Sequence, residues 1–158
     1  MRIELTDADL AVCRMFATLR TINNRMGGVK RQIFKDYKDC LDHEEEGVMG
    51  EYAFCKKYNL FFDGTFSGKD AGYDCVLKGK KIDIKTTSLQ DGNLIAFQSS
   101  EKSDVDIFIL TVVDRNSVEI VGWIEKENFI NPENLVDHKY GKRYFLPREK
   151  LKKMKNGD

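Results

Sequence analysis

Cysteine and histidine are scarce and scattered in this chain, which has four cysteines (Cys13, Cys40, Cys55 and Cys75) and two histidines among 158 residues. No CxxC pair occurs, and the one metal-like spacing, Cys40 with His43, lacks a second CxxC or HxxxH half, so zinc is set aside. A chain of this length needs no disulfide staples, and reduced thiols, mostly in the core, are expected. Long apolar runs are missing too. No stretch approaches the ~18 apolar residues of a membrane span, and the start MRIELTDADL lacks the basic and apolar regions of a signal peptide. A cytoplasmic protein without membrane association is the expectation. With no internal repeat or low-complexity linker, residues 1–158 read as one domain that buries about 70% of its unfolded surface.

An excess of charge is also lacking: 26 basic residues balance 26 acidic ones. That argues against holding nucleic acid by overall charge alone. The distribution is uneven, however. Basic residues lead acidic ones eight to five over 1–40, four to one over 76–90 and eight to two over 138–158. Acids lead eight to three over 41–75 and ten to three over 91–137, so basic ends flank an acidic middle.

Thr6 and Asp9 form a capping-box-like start, followed by Leu10, Cys13, Phe16, Ala17 and Leu19 at helical spacing, which predicts a first helix to about residue 22. TINNRMGGVKRQ then reads as a loop or arm. A helix over roughly 33–40 is expected next, with the acidic run DHEEE at the positive end of a further helix, GVMGEYAFCKKY. On that helix Glu51 shares a face with Gly47, Phe54, Cys55 and Tyr58. Further on, IFILTVV suits a central strand buried on both faces, DRNS a turn and VEIVGWI its hairpin partner. A short helix at about 125–130, a loop at Pro132 and a tail ending in a basic helix complete an α/β reading.

The stretch GYDCVLKGKKIDIKTT is the most informative. A turn centred on Lys78 and Gly79 makes facing residue numbers sum to 157, setting Asp74 against Asp83 and Cys75 against Ile82. A four-residue loop keeps that register; a three-residue loop scrambles the two faces, so the hydrophobic pattern selects the register. Opposed carboxylates about 5 Å apart repel by roughly 3 kcal/mol at an effective dielectric of about 20. A divalent cation is the simplest compensation, since Mg²⁺ favours one or two protein carboxylates completed by water and phosphate oxygens. Lys85, diagonal to Asp74, points into the same space.

The pattern Glu51, Asp74, Asp83-Ile84-Lys85 resembles the PD-(D/E)xK nuclease superfamily, whose restriction-endonuclease-like fold includes restriction enzymes, phage exonucleases and archaeal Holliday-junction resolvases. GVMGEYAFCKKY is similar to the GxxGExAF-like helix of small phage and prokaryotic members. The resemblance covers roughly 46–124 and implies an αβββαβ core with a mixed central sheet, Asp74 on its second strand and Asp83 and Lys85 on its third. Residues 1–45 are expected as an N-terminal helical extension and 125–158 as a C-terminal extension outside that core. The chain departs from the pattern in three places. Asp83 stands where Glu is frequent, no proline precedes Asp74, and LQDGNLIAFQSSEKSD has a poor helical period where the family has a helix.

The resemblance implies a Mg²⁺-dependent deoxyribonuclease, with Mn²⁺ able to substitute and an endonuclease as the expected form, in a prokaryotic or phage-infected cell. Asp74 and Asp83 would hold the ion, with the Ile84 carbonyl as a further ligand, and Glu51 would orient water or bind a second ion. Lys85 would position or help deprotonate the attacking water and stabilise the phosphorane-like transition state. The expected DNA-backbone contacts are Arg20, Arg25, Lys30 and Arg31 after the first helix, and Lys142, Arg143, Arg148, Lys152 and Lys153 in the tail. A homodimer in which each subunit cuts one strand fits a chain this small, with the Trp123–Phe129 region or the N-terminal helices supplying apolar contact. The rival reading is a non-catalytic nucleic-acid-binding or phage–host interaction protein that retains the fold. A third is a metal-stabilised structural domain.

Overall fold

In the computed structural model the described residues are 1–26, 36–64, 72–139 and 141–154. The chain is mixed α/β. The elements are β1 (Arg2–Glu4), α1 (Asp7–Met26), α2 (Tyr37–Lys57), β2 (Cys75–Leu77), β3 (Lys80–Thr87), β4 (Leu94–Phe97), β5 (Ile107–Asp114), β6 (Ser117–Glu125), α3 (Lys126–Phe129), β7 (Leu135–Val136) and β8 (Arg143–Leu146). The main sheet has the order β1-β6-β5-β3-β2, in which β3 and β5 are parallel and every other pair is antiparallel. A second, antiparallel sheet runs β4-β8-β7.

The capping box at the start of α1 forms reciprocally. The Thr6 N–H donates to Asp9 Oδ2 at 2.8 Å and the Asp9 N–H to Thr6 Oγ1 at 3.2 Å. The helix runs on to Met26 rather than stopping near 22, because Cys13, Ala17 and Thr21 continue one buried face. The two short helices expected over 33–57 are one helix, α2, capped by Asp36, whose side chain accepts from the Asp39 N–H at 2.9 Å. Leu41, Val48, Met49 and Ala53 bury one continuous stripe against α1. The acidic run therefore lies mid-helix, where it answers Arg14 of α1, which lies 2.5 Å from Glu45 and 4.0 Å from Asp42.

β5 is buried along nearly its whole length, between α2 on one face and the second sheet on the other. Ile82, Ile84, Ile109 and Ile120 pack with Phe54 and Cys55 of α2, while Phe108, Leu110 and Ile124 pack with Leu94, Ala96, Phe129, Tyr144 and Leu146. The connection from β3 to its parallel neighbour β5 passes through β4 and a 3₁₀ turn, Gln98–Lys102, and not through an α-helix. Between α2 and β2 no strand occurs among the described residues.

The basic C-terminal helix does not form among the described residues. Arg143–Leu146 are strand, Arg148–Lys150 a 3₁₀ turn, and Lys152 bridges to β6, exchanging both backbone hydrogen bonds with Trp123 at 2.8 and 2.9 Å. Gly122 permits this approach, since a Cβ there would lie 2.7 Å from the Lys152 carbonyl oxygen.

Candidate functional site

The β2–β3 hairpin adopts the register that the hydrophobic pattern requires, with Cys75 opposite Ile82, Val76 opposite Lys81 and Leu77 opposite Lys80. Lys78 and Gly79 both take positive φ, 51° and 77°, as a two-residue type I′ turn demands. The regular pairing stops at Cys75 opposite Ile82: the Asp74 N–H donates to the Ile82 carbonyl at 2.8 Å, one residue off the register that would set Asp74 directly opposite Asp83. There the strand pairing ends. The Ile84 N–H donates at 2.6 Å to Asp74 Oδ2, a side chain taking the place of a strand carbonyl. Ile84 thus joins the site through its N–H. Among the described residues no strand pairs with β3 on this side at Asp83 and Lys85, since β2 begins only at Cys75.

Glu51 reaches this side of β3 from α2. Gly50 lets the helix approach β3 and β5 closely, because a Cβ there would lie 2.1 Å from Thr86 Oγ1 and 2.6 Å from Thr111 Oγ1. Those two hydroxyls are themselves hydrogen-bonded at 3.0 Å. The next residue, Glu51, is thereby fixed over the sheet with a side chain only 13% exposed.

Both Glu51 oxygens are engaged by one partner. Arg20 Nη1 donates to Oε1 at 2.9 Å and Nη2 to Oε2 at 2.7 Å, a bidentate pair between α1 and α2. Arg20 Nη2 also reaches the Asp63 carbonyl at 3.5 Å. Lys85 Nζ lies 2.7 Å from Asp83 Oδ1, with the Asp83 side chain 12% exposed and that of Lys85 35%. Glu51, Asp74, Asp83, Arg20 and Lys85 thus form one buried electrostatic cluster of three acids and two bases.

Burial, then the neighbouring Glu51 and Asp83 carboxylates, push Asp74 well above the usual carboxylate range, against the opposing pull of the Ile84 N–H and Lys85. Burial likewise raises Glu51, partly offset by the Arg20 fork. Lys85 is raised: burial disfavours its charge, but the attraction of Asp83 and the other acids outweighs it. Among the described residues, no three His, Cys, Asp or Glu side chains form a group able to hold a metal ion. Nor is any helix among them long and apolar enough to cross a membrane.

Of the expected DNA contacts, Arg20 belongs to the acid cluster. Lys30 and Arg31 lie outside the described residues, as does the side chain of Arg25. Arg143 stacks on Phe97 at 4.7 Å, and Arg148 bonds the Gln90 carbonyl and lies 3.9 Å from Glu119. Lys152 pairs with Glu125 at 2.6 Å over the Trp123 ring. These three tail residues are therefore tied to neighbours outside the acid cluster, while Lys142 and Lys153 are exposed. The partnership of Arg20 with Glu51 went unread in the sequence. Its signal was the spacing Cys13, Ala17, Arg20, Thr21, which puts Arg20 on the buried face of α1.

No protein-family model, curated protein or solved structure matches the chain.

Proposed function

We propose that this chain is a Mg²⁺-dependent deoxyribonuclease of the PD-(D/E)xK, restriction-endonuclease-like group, hydrolysing DNA phosphodiester bonds as an endonuclease. The observation that carries the reading is the gathering of Asp74, Asp83, Lys85 and Glu51 into one largely buried cluster beside β3. The order of elements supports it: a helix bearing Glu51, a hairpin bearing the acids, and a crossover to a parallel strand. β4 and a 3₁₀ turn stand where that group has its crossover helix.

The residues present suit Mg²⁺. Asp74 and Asp83 offer hard carboxylate oxygens, and Asp74 Oδ1 receives no hydrogen bond among the described residues. With Arg20 and Lys85 counted, the three acids when ionised leave one surplus negative charge, and Asp74 is raised by its own burial and then by the Glu51 and Asp83 carboxylates. Asp74 and Asp83 would hold the ion. When bound, it would act as a Lewis acid on the scissile phosphate and lower the pKa of its water. Lys85, whose Nζ lies 2.7 Å from Asp83 Oδ1, would position the attacking water and steady charge building on the phosphoryl oxygens.

Nicking of supercoiled plasmid tests this directly. Cleavage is expected with Mg²⁺ or Mn²⁺, none in EDTA, and a loss of at least about 100-fold in Asp83→Ala and Lys85→Ala, the scale of removing one electrostatic group. Cleavage that persists in Asp83→Ala would refute the assignment.

A further inference from the structure

We infer that the site is built for a single divalent cation, and that the Arg20 guanidinium permanently fills the cation position beside Glu51 that a second ion would otherwise take. This rests on the nuclease reading of the same site. Three observations carry it. First, both oxygens of Glu51 are held by the two terminal nitrogens of one guanidinium, at 2.9 and 2.7 Å, on the helix that Gly50 seats against Thr86 and Thr111. Second, among the described residues Glu51, Asp74 and Asp83 do not form a three-acid group able to hold an ion, so Glu51 is not set to share one ion with the two aspartates.

Third, the charge balance admits one ion and opposes two. With all three carboxylates ionised, as ion binding requires, the cluster's three acids and two bases sum to one negative charge. One divalent ion turns that to one positive charge. Two would bury three positive charges, with one ion against a guanidinium that never loses its proton. Arg20 is in this sense a positioning residue. It holds Glu51 in a fixed orientation toward the Asp74–Asp83 edge and supplies positive charge there at any metal concentration.

Electron paramagnetic resonance of Mn²⁺ bound to the full chain counts the ions without reference to cleavage. Wild type is expected to bind one Mn²⁺ per chain, weakened at least tenfold in Asp83→Asn. Arg20→Gln is expected to gain a second, weaker Mn²⁺ that disappears again in Arg20→Gln/Glu51→Gln, and Arg20→Lys, which keeps the charge, stays at one. A loss of structure alone would not add an ion, and circular dichroism identifies which variants fold. The wild-type count stands whether or not they do. Two ions on the wild type together with metal-dependent nicking would overturn the inference and leave the nuclease reading intact, as would a folded Arg20→Gln that still binds one. No bound Mn²⁺ and no nicking in the wild type would sink the nuclease reading and this inference with it.

Discussion

The pair between Arg20 and Glu51 offers the sharpest test of how the two long helices are joined. Arg20 is 19% exposed and Glu51 13% at their side chains, and the contact is bidentate at 2.7 and 2.9 Å, so neither partner can turn to water when the other is removed. Removing one member of a buried ion pair costs about 3–5 kcal/mol. The partial exposure here places Arg20→Gln near the lower figure, about 3 kcal/mol. For a chain of this size, each kcal/mol moves the midpoint by roughly 2–4 °C, so a fall of about 6–12 °C is expected. Glu51→Gln should cost a similar amount, because it strands the guanidinium. The double variant should lose clearly less than the sum, with a coupling energy of about 2–3 kcal/mol. Urea denaturation followed by circular dichroism, in EDTA so that metal binding adds nothing, measures all four corners of the cycle. Additive losses, or single losses under about 0.5 kcal/mol, would show that the contact is incidental and that Arg20 is an ordinary surface arginine.

The other end of the same helix pair gives a pH test. Burial works against the Asp9 charge, but hydrogen bonds from Lys56, Thr6 and Tyr52 prevail and hold its carboxyl well below the usual carboxylate range. The folded chain therefore binds this proton less readily than the unfolded one. The stabilisation is complete above about pH 4, the unfolded value, and is lost as pH falls through the folded value. Asp9→Asn should cost about 1.5–3 kcal/mol at pH 7, with the gap to wild type closing as the solution is acidified; a gap that stays constant down to pH 2 would contradict the assignment. At Gly50 an added methyl group has no room against Thr86 and Thr111, so Gly50→Ala should lose at least about 1–3 kcal/mol despite alanine's better helix propensity. At Gly47, where nothing lies within 4 Å, the same change should stabilise by up to about 1 kcal/mol. Equal effects at the two glycines in thermal melts would show that α2 does not approach the sheet as described.

The parts of the fold legible in the sequence were those in which one face must be buried. A one-residue slip in the hairpin would turn Cys75, Ile82 and Ile84 to the wrong side, so alternation alone specified the pairing that the structure adopts. The unbroken run IFILTVV marked the middle of the sheet for the same reason. Capping chemistry was also legible at Thr6 and Asp9. What failed was reading charge as a local signal. The acidic run DHEEE resembled a helix start, yet Glu45 and Asp42 answer Arg14 across the α1–α2 contact. The basic tail resembled a helix, yet the Lys152 backbone is drawn into pairing with Trp123. In both cases the partner is distant in sequence, which no helical or strand period reveals.

The candidate site divides along the same line. Asp83 and Lys85 lie on one strand of the hairpin, whose register was legible, while Asp74 sits just beyond the paired residues and is held there by the Ile84 N–H. Glu51 and Arg20 come from two helices, and bringing them to that hairpin depends on backbone approach rather than on pattern. In GVMGEYAF the two glycines are equivalent to a sequence reader, but only Gly50 touches the sheet, and its neighbour Glu51 is carried in with it. A buried glutamate arriving beside two aspartates needs a cation. Arg20 could supply it because α1 continues past residue 19 with its Cys13–Ala17 face still turned to α2. Reading that arginine as a surface contact for DNA ignored the electrostatic demand that the three acids create. A buried acid cluster in a sequence therefore calls first for its compensating bases to be sought on the buried faces of neighbouring helices, before any arginine is assigned to an external partner.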